Sequence, residues 1–193
     1  MHDQDRVRES VKQAYSQIAE NPTEASLFPA GRALAEGVGY PPELLDALPA
    51  ASVNAFCGLS DVSLFAELSA GMSVLDVGCG AGLDTLIAAR RIGEKGKVFA
   101  VDFSETMLER ARVATLTAHI SNVEFLRADA ENLPIEDASM DAALVNGIFN
   151  LNPHRDQIFS ELARVLKPHG TLFAAEIVLA GPLPEEVTKS ADS

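Results

Sequence analysis

The chain has 193 residues, 47% of them hydrophobic and 22% charged, a balance that excludes a disordered or fibrous chain and predicts one compact fold. Fifteen Lys and Arg against 28 Asp and Glu leave a net charge of −13, a field that repels phosphate backbones and anionic lipid, so neither nucleic acid nor a membrane is expected as partner. Two cysteines, Cys57 and Cys79, are too few for a disulfide framework and predict a reducing, cytoplasmic setting.

Met1 to Glu20 alternates charged and apolar residues and lacks the apolar core of a signal peptide. Within it Val7, Val11, Ala14 and Ile18 mark one face of a helix. From Asn21 to Pro49, Pro and Gly recur and predict loops with short helices, such as Glu43 to Leu48 behind Pro41-Pro42. Ser60 or Asp61 is placed to cap a further helix carrying Val62, Phe65 and Leu68. No internal repeat or low-complexity tract interrupts the chain.

From Met72 onward, apolar runs too continuous for half-solvated strands alternate with helical patterns. Strands are predicted at Ser73 to Val77, Lys97 to Val101, Val123 to Arg127, Asp141 to Asn146 and Thr171 to Leu179. Ser104-Glu105 opens one helix. Asn152-Pro153 opens another, striped by Ile158, Phe159, Leu162, Val165 and Leu166 and ended by Pro168 and Gly170. Such alternation implies right-handed crossovers, hence an α/β fold with a doubly wound, mostly parallel sheet. Residues 1–70 are expected as a helical cap and 71–193 as the Rossmann-like core.

The most informative segment is Val74-Leu75-Asp76-Val77-Gly78-Cys79-Gly80-Ala81-Gly82-Leu83-Asp84, a buried strand entering a glycine turn and then a helix. Glycine admits positive φ and removes the Cβ that would hold a ligand off, while the helix start offers unpaired N–H groups. Asp102 ends the next strand 20 residues after Gly82, the separation at which a carboxylate meets ribose hydroxyls in dinucleotide-type folds. The same side chain would suit a helix cap, which Ser104 can supply instead. A nicotinamide fingerprint requires a third glycine where Leu83 stands, so the spacing disfavours a nicotinamide oxidoreductase.

The D-x-G-C-G-x-G arrangement resembles the first motif of the class I S-adenosylmethionine-dependent methyltransferases. The resemblance continues through Val101-Asp102-Phe103-Ser104 with Met107-Leu108, Ala128-Asp129-Ala130 with Leu133-Pro134, and Phe159 to Gly170, covering Met72 to Leu179. More narrowly, Tyr40-Pro41-Pro42-Glu43, Phe56-Cys57-Gly58, Gly82-Leu83-Asp84, Asn146 to Leu151 and Leu183 to Val187 resemble the arsenite methyltransferase branch, close to the quinone C-methyltransferases.

The resemblance implies S-adenosylmethionine as cofactor and methyl transfer to a small-molecule acceptor by in-line displacement. It places Asp76, Gly78, Cys79, Gly80, Gly82 and Asn146 around the methionine part, Asp102 on the ribose, Phe103 and Met107 on the adenine faces, and Asp129 with the Ala130 N–H at the adenine edge. Tyr15 would close over the methyl group, or else pack in the core. No catalytic base is singled out among His154, Glu176 and His119, and no metal site is expected.

Two departures stand out. Arsenite-methylating members hold the metalloid with several thiolates, but here only Cys57 sits where one is expected, Gly147 replaces another, and the chain stops before the next. An incomplete thiol site, or a cofactor-binding protein without turnover, therefore remain as alternatives. The family's seven-stranded sheet would also lack its last two strands. The exposed edge then predicts either a truncated relative, a homodimer, or an edge covered otherwise.

Overall fold

The computed structural model describes residues 30–150, 152–178 and 181. The expected helix over Val7 to Ile18, Tyr15 and the Leu183 to Val187 motif lie outside them. Among the described residues four short helices come first: α1 (Arg32–Gly37), α2 (Pro42–Asp46), α3 (Ala50–Asn54) and α4 (Val62–Phe65). There follow β1 (Ser73–Val77), α5 (Leu83–Ile92), β2 (Lys97–Asp102), α6 (Glu105–Thr117), β3 (Val123–Arg127), β4 (Met140–Asn146), α7 (Arg155–Val165) and β5 (Leu166–Ala175).

The five strands form one sheet in the order β3-β2-β1-β4-β5, every pairing parallel. Its order reverses direction between β1, which continues to β2 and β3, and β4, which continues to β5. In such sheets ligands gather in the crevice at the carboxyl ends of the strands flanking that reversal. The glycine turn after β1 and the end of β4 lie there.

Side-chain alternation along the strands sorts the core into two layers. Leu75, Val77, Ala143 and Val145 face one side and pack with Ile158, Leu162 and Val165 of α7. Val74, Ala142 and Leu144 face the other, against Ala88, Ala89 and Ile92 of α5 and Val62 of α4. On that second side α6 adds Leu108 over Ala100. Both faces are covered, which explains why the strands read as continuous apolar runs. The short helices α1 to α3 dock through Tyr40, Leu45, Leu48, Val53 and Phe56 onto Leu83, Leu86 and Ile87 of α5.

Several local expectations shift. Pro42 stands at the first position of α2, which ends at Asp46. Helix α3 follows a proline N-cap, Pro49. Leu68 lies beyond α4, which stops where Ala66 turns extended, and Asp61 is its N-cap residue without a capping hydrogen bond. Ser104 caps α6 as expected, its Oγ accepting from the Met107 N–H.

The largest shift concerns β5. Helix α7 ends at Val165 and the strand begins at once, so Pro168 and Gly170 lie inside β5, which ends at Ala175 rather than Leu179. Pairing jumps from Met140↔Leu166 to Ala142↔Thr171, so the Lys167 to Gly170 segment bulges, with His169 at φ 72°. A bulge at a sheet edge tolerates proline's missing donor. Glu176 accordingly falls just past the strand, where its carboxylate accepts from the Asn150 and Ile177 N–H groups. Among the described residues no strand pairs with the outer edge of β5.

Candidate functional site

The turn between β1 and α5 is built around backbone conformations that only glycine adopts readily. Gly78, Gly80 and Gly82 have φ of 73°, 53° and 83°. The Gly78 and Cys79 N–H groups donate to Val101 O at 2.8 and 3.0 Å, stitching the turn to the end of β2. A Cβ on Gly80 would meet nothing within 4 Å, whereas one on Gly82 would lie 3.0 Å from Ala111 Cβ. The middle glycine therefore faces open space and the last one admits α6 close to the turn.

Across the turn stands Asp102. Its Oδ2 accepts the Gly80 N–H at 2.9 Å and its Oδ1 accepts the Ser104 N–H at 2.8 Å. The carboxylate thus performs both roles open to it in the sequence, bridging to the glycine turn and steadying the start of α6. The Phe103 amide adds to the donors on this carboxylate, whose two oxygens offer about four lone-pair sites.

One cavity, enclosing about 1120 Å³ including its mouth, gathers these groups. Of the residues expected on the cofactor, Asp76, Gly78, Cys79, Gly80, Asp102, Phe103, Met107, Asp129, Ala130 and Asn146 line it. Gly82 does not; it serves helix packing. Asp84, Phe56, Cys57, Gly58, Glu131, Ile148 and Asn152 are also part of the wall.

The electrostatics are one-sided. Five carboxyl groups, those of Asp76, Asp84, Asp102, Asp129 and Glu131, line the cavity, and no Lys, Arg or His does so among the described residues. Burial pushes Asp76 up to about 8, with the neighbouring Asp84 adding to the rise and the Thr85 hydroxyl opposing it. Burial likewise raises Asp102 to about 6, against the pull of the Ser104, Gly80 and Phe103 amides. Neutralising either group is easier than in water, and a cationic or donor-rich ligand would reverse that.

Asn146 stands at the C-terminal end of β4. It reaches the cavity, but its carboxamide is spent on the chain itself: Oδ1 accepts from Leu59 N–H at 2.7 Å, and Nδ2 donates to Ser60 O at 2.8 Å and Asp84 Oδ2 at 3.0 Å. His154 is the N-cap residue of α7, and His119, at φ 55°, follows the C-terminus of α6. Neither lines the cavity.

The sequence alone assigns no part in the site to Asp84, Tyr40 or Asn152. A usable signal existed for the first: in α5 an Asp-Thr pair interrupts a helix buried along nearly its whole length, and a carboxyl in such a setting requires partners. Asn152 and Pro153, expected as the cap and first turn of α7, both precede it, since His154 is its N-cap residue; Asn152 Oδ1 accepts the His154 N–H at 2.8 Å, and the residue also borders the cavity.

The thiol expectations can be placed too. Cys57 lines the cavity, its thiol pushed up to about 12 by burial and by Asp102. At Gly147, φ 80°, a Cβ would lie 3.0 Å from Leu59 Cγ, so a side chain there meets protein. Among the described residues no three His, Cys, Asp or Glu side chains cluster as metal ligands, and no helix is long and apolar enough to cross a membrane.

Comparison with known proteins agrees with this geometry. An arsenite methyltransferase of Halobacterium salinarum is 34% identical over 136 residues, 70% of this chain and 35% of that protein. A demethylmenaquinone methyltransferase of Lactococcus lactis is 37% identical over 106 residues, 55% of this chain and 42% of its own. Among solved structures, an arsenic(III) S-adenosylmethionine methyltransferase from Chlamydomonas reinhardtii superposes with a TM-score of 0.64 at 29% identity, covering 86% of this chain and 55% of that one. A SAM-dependent methyltransferase from Aquifex aeolicus gives 0.54 at 29% identity, covering 76% and 75%. The chain thus spans well under half the length of these two curated relatives. The sequence model described as a methyltransferase domain matches residues 68–193, and the chain belongs to that family, with its Rossmann-like α/β fold.

Proposed function

We propose that this chain binds S-adenosylmethionine and transfers its methyl group to a small-molecule acceptor by in-line displacement. The observation that carries the reading is the convergence, in one cavity at the sheet's reversal point, of the glycine turn, the Asp102 carboxylate joined to it, and the Phe103, Met107, Asp129 and Ala130 wall. The residues fit the cofactor: open space over Gly80 admits a ligand against bare backbone, and an all-carboxyl lining suits a cation.

When bound, the cofactor supplies a methyl already activated on a sulfonium. Asp102 holds the ribose hydroxyls with charge-assisted bonds. Phe103 and Met107 cover the adenine, and Asp129 with the Ala130 N–H reads its edge. The glycine turn lets the methionine part approach the backbone. The remaining wall excludes water and aligns the acceptor; orientation of this kind is worth on the order of 7 to 11 kcal/mol in favourable cases.

An acceptor bound through several thiolates is not the reading adopted. Cys57 is the one cysteine of the lining outside the glycine turn, its thiol is held protonated by its surroundings, and Leu59 packs where a side chain at position 147 would begin. The names of the arsenite-methylating relatives keep arsenic as an acceptor to be assayed, beside neutral carbon and sulfur nucleophiles.

A crystal structure with S-adenosylhomocysteine tests the reading. The expected result is adenosine between Phe103, Met107 and Ala130 with both ribose hydroxyls on Asp102. A ligand bound elsewhere, or none after soaking at millimolar concentration, would overturn it.

A further inference from the structure

Asp84 lies in the first turn of α5, buried, immediately after the glycine turn. Its carboxylate faces donors on both sides: Oδ1 accepts from the Tyr40 hydroxyl and from the Ser63 N–H at 3.2 Å, and Oδ2 accepts from Asn146 Nδ2 at 3.0 Å. Asn146 passes the connection on, accepting from the Leu59 and Ser60 N–H groups at 2.7 and 3.3 Å and donating to Ser60 O. Tyr40, 1% exposed, sets its ring edge-on to Phe56 with centroids 5.2 Å apart.

Three pieces of chain meet around this one carboxylate: the segment before α2, the loop from Phe56 to Asp61 with the first turn of α4, and the end of β4. The fit is close. A Cβ on Gly58 would lie 2.5 Å from Asn146 Nδ2 and 2.7 Å from Phe56 Cζ. Phe56, Cys57 and Gly58 of that loop form a part of the cavity wall that none of the cofactor motifs supplies.

We propose that Asp84 is a positioning residue: through Tyr40 and Asn146 it clamps the Phe56–Gly58 loop to the carboxyl end of β4 and so sets the wall against which the acceptor is held. The acceptor's place rests on the methyltransferase reading; the clamp rests on the contacts alone. The chemistry demands a carboxylate, because a group that only accepts satisfies donors at both oxygens, whereas a carboxamide must turn its NH2 toward one of them. A donor left facing a donor in a buried site loses its bond and its solvation together.

Cys57 provides a reporter inside the clamped loop, and Cys79, in the glycine turn, an internal reference. The full chain and its Asp84→Asn and Tyr40→Phe variants are alkylated with N-ethylmaleimide, and labelling at each cysteine is followed by peptide mass spectrometry. Loss of the clamp is expected to speed alkylation of Cys57 at least tenfold in either variant, with Cys79 changing less than threefold. An unchanged Cys57 rate in folded variants, or an equal rise at Cys79 that signals general loosening, would overturn the proposal. Should Asp84→Asn fail to fold, Tyr40→Phe, which removes one donor and leaves the carboxylate in place, decides the matter. S-adenosylhomocysteine binding by the unmodified chain is measured in parallel: selective exposure of Cys57 without any such binding retains the clamp and sinks the methyltransferase reading.

Discussion

The Asp102 carboxylate and the Gly80 amide are joined at 2.9 Å, a bond that ties the end of β2 to the turn leaving β1. Two strands adjacent in the sheet thus present their C-terminal ends as one surface, with the carboxylate held in place before any ligand arrives. Preorganisation of this kind lowers the ordering cost of binding.

Gly80 tests the turn. Its φ of 53° costs an L-residue about 1–2 kcal/mol, and its missing Cβ opens onto the cavity. Gly80→Ala is expected to lower stability by about that amount in chemical denaturation and to weaken S-adenosylhomocysteine at least tenfold. Full affinity in the variant would show that the ligand does not approach this backbone.

Stability should fall as pH rises, because two buried acids prefer to be neutral. Asp102 at about 6 and Asp76 at about 8 both lie above the unfolded value near 3.9. The folded state therefore binds more protons than the unfolded one. The neutral form's contribution is complete below pH 4 and lost as pH passes 6 and then 8. Asp76→Asn should melt higher than the unmodified chain at pH 8.5, with the difference shrinking toward pH 5. A difference independent of pH in thermal melts would refute this account.

Two further substitutions test the frame. Ser104→Ala removes the cap of α6 and should cost about 1 kcal/mol in urea denaturation. Leu86→Ala, at a fully buried position between α5 and the short N-terminal helices, should cost about 2–5 kcal/mol. If Leu86→Ala cost no more than Ser104→Ala, the short helices would not be packed as described.

The sheet was legible because burial on both faces writes itself as continuous apolar runs: β1 and β3 fall where Ser73-Val77 and Val123-Arg127 predict them. The glycine turn and Asp102 were legible because their chemistry is local, a bare backbone and a carboxylate at fixed spacing. The start of β5 was not, because Pro168 and Gly170 read as a helix stop while an edge bulge absorbs both. Nor was Asp84, whose partners Tyr40 and Asn146 stand 44 and 62 residues away and become neighbours only on folding. Asn146 stands at the expected end of β4, but the loop that claims its amide is farther still in sequence, 87 residues away at Leu59.

Calorimetric titration of the native chain with S-adenosylhomocysteine, repeated on Asp102→Ala, tests the central claim most directly. The account predicts one site per chain in the native protein and affinity at least a hundredfold weaker in the variant, with its circular dichroism unchanged. No heat of binding to the native chain, or equal affinity in both, would contradict it.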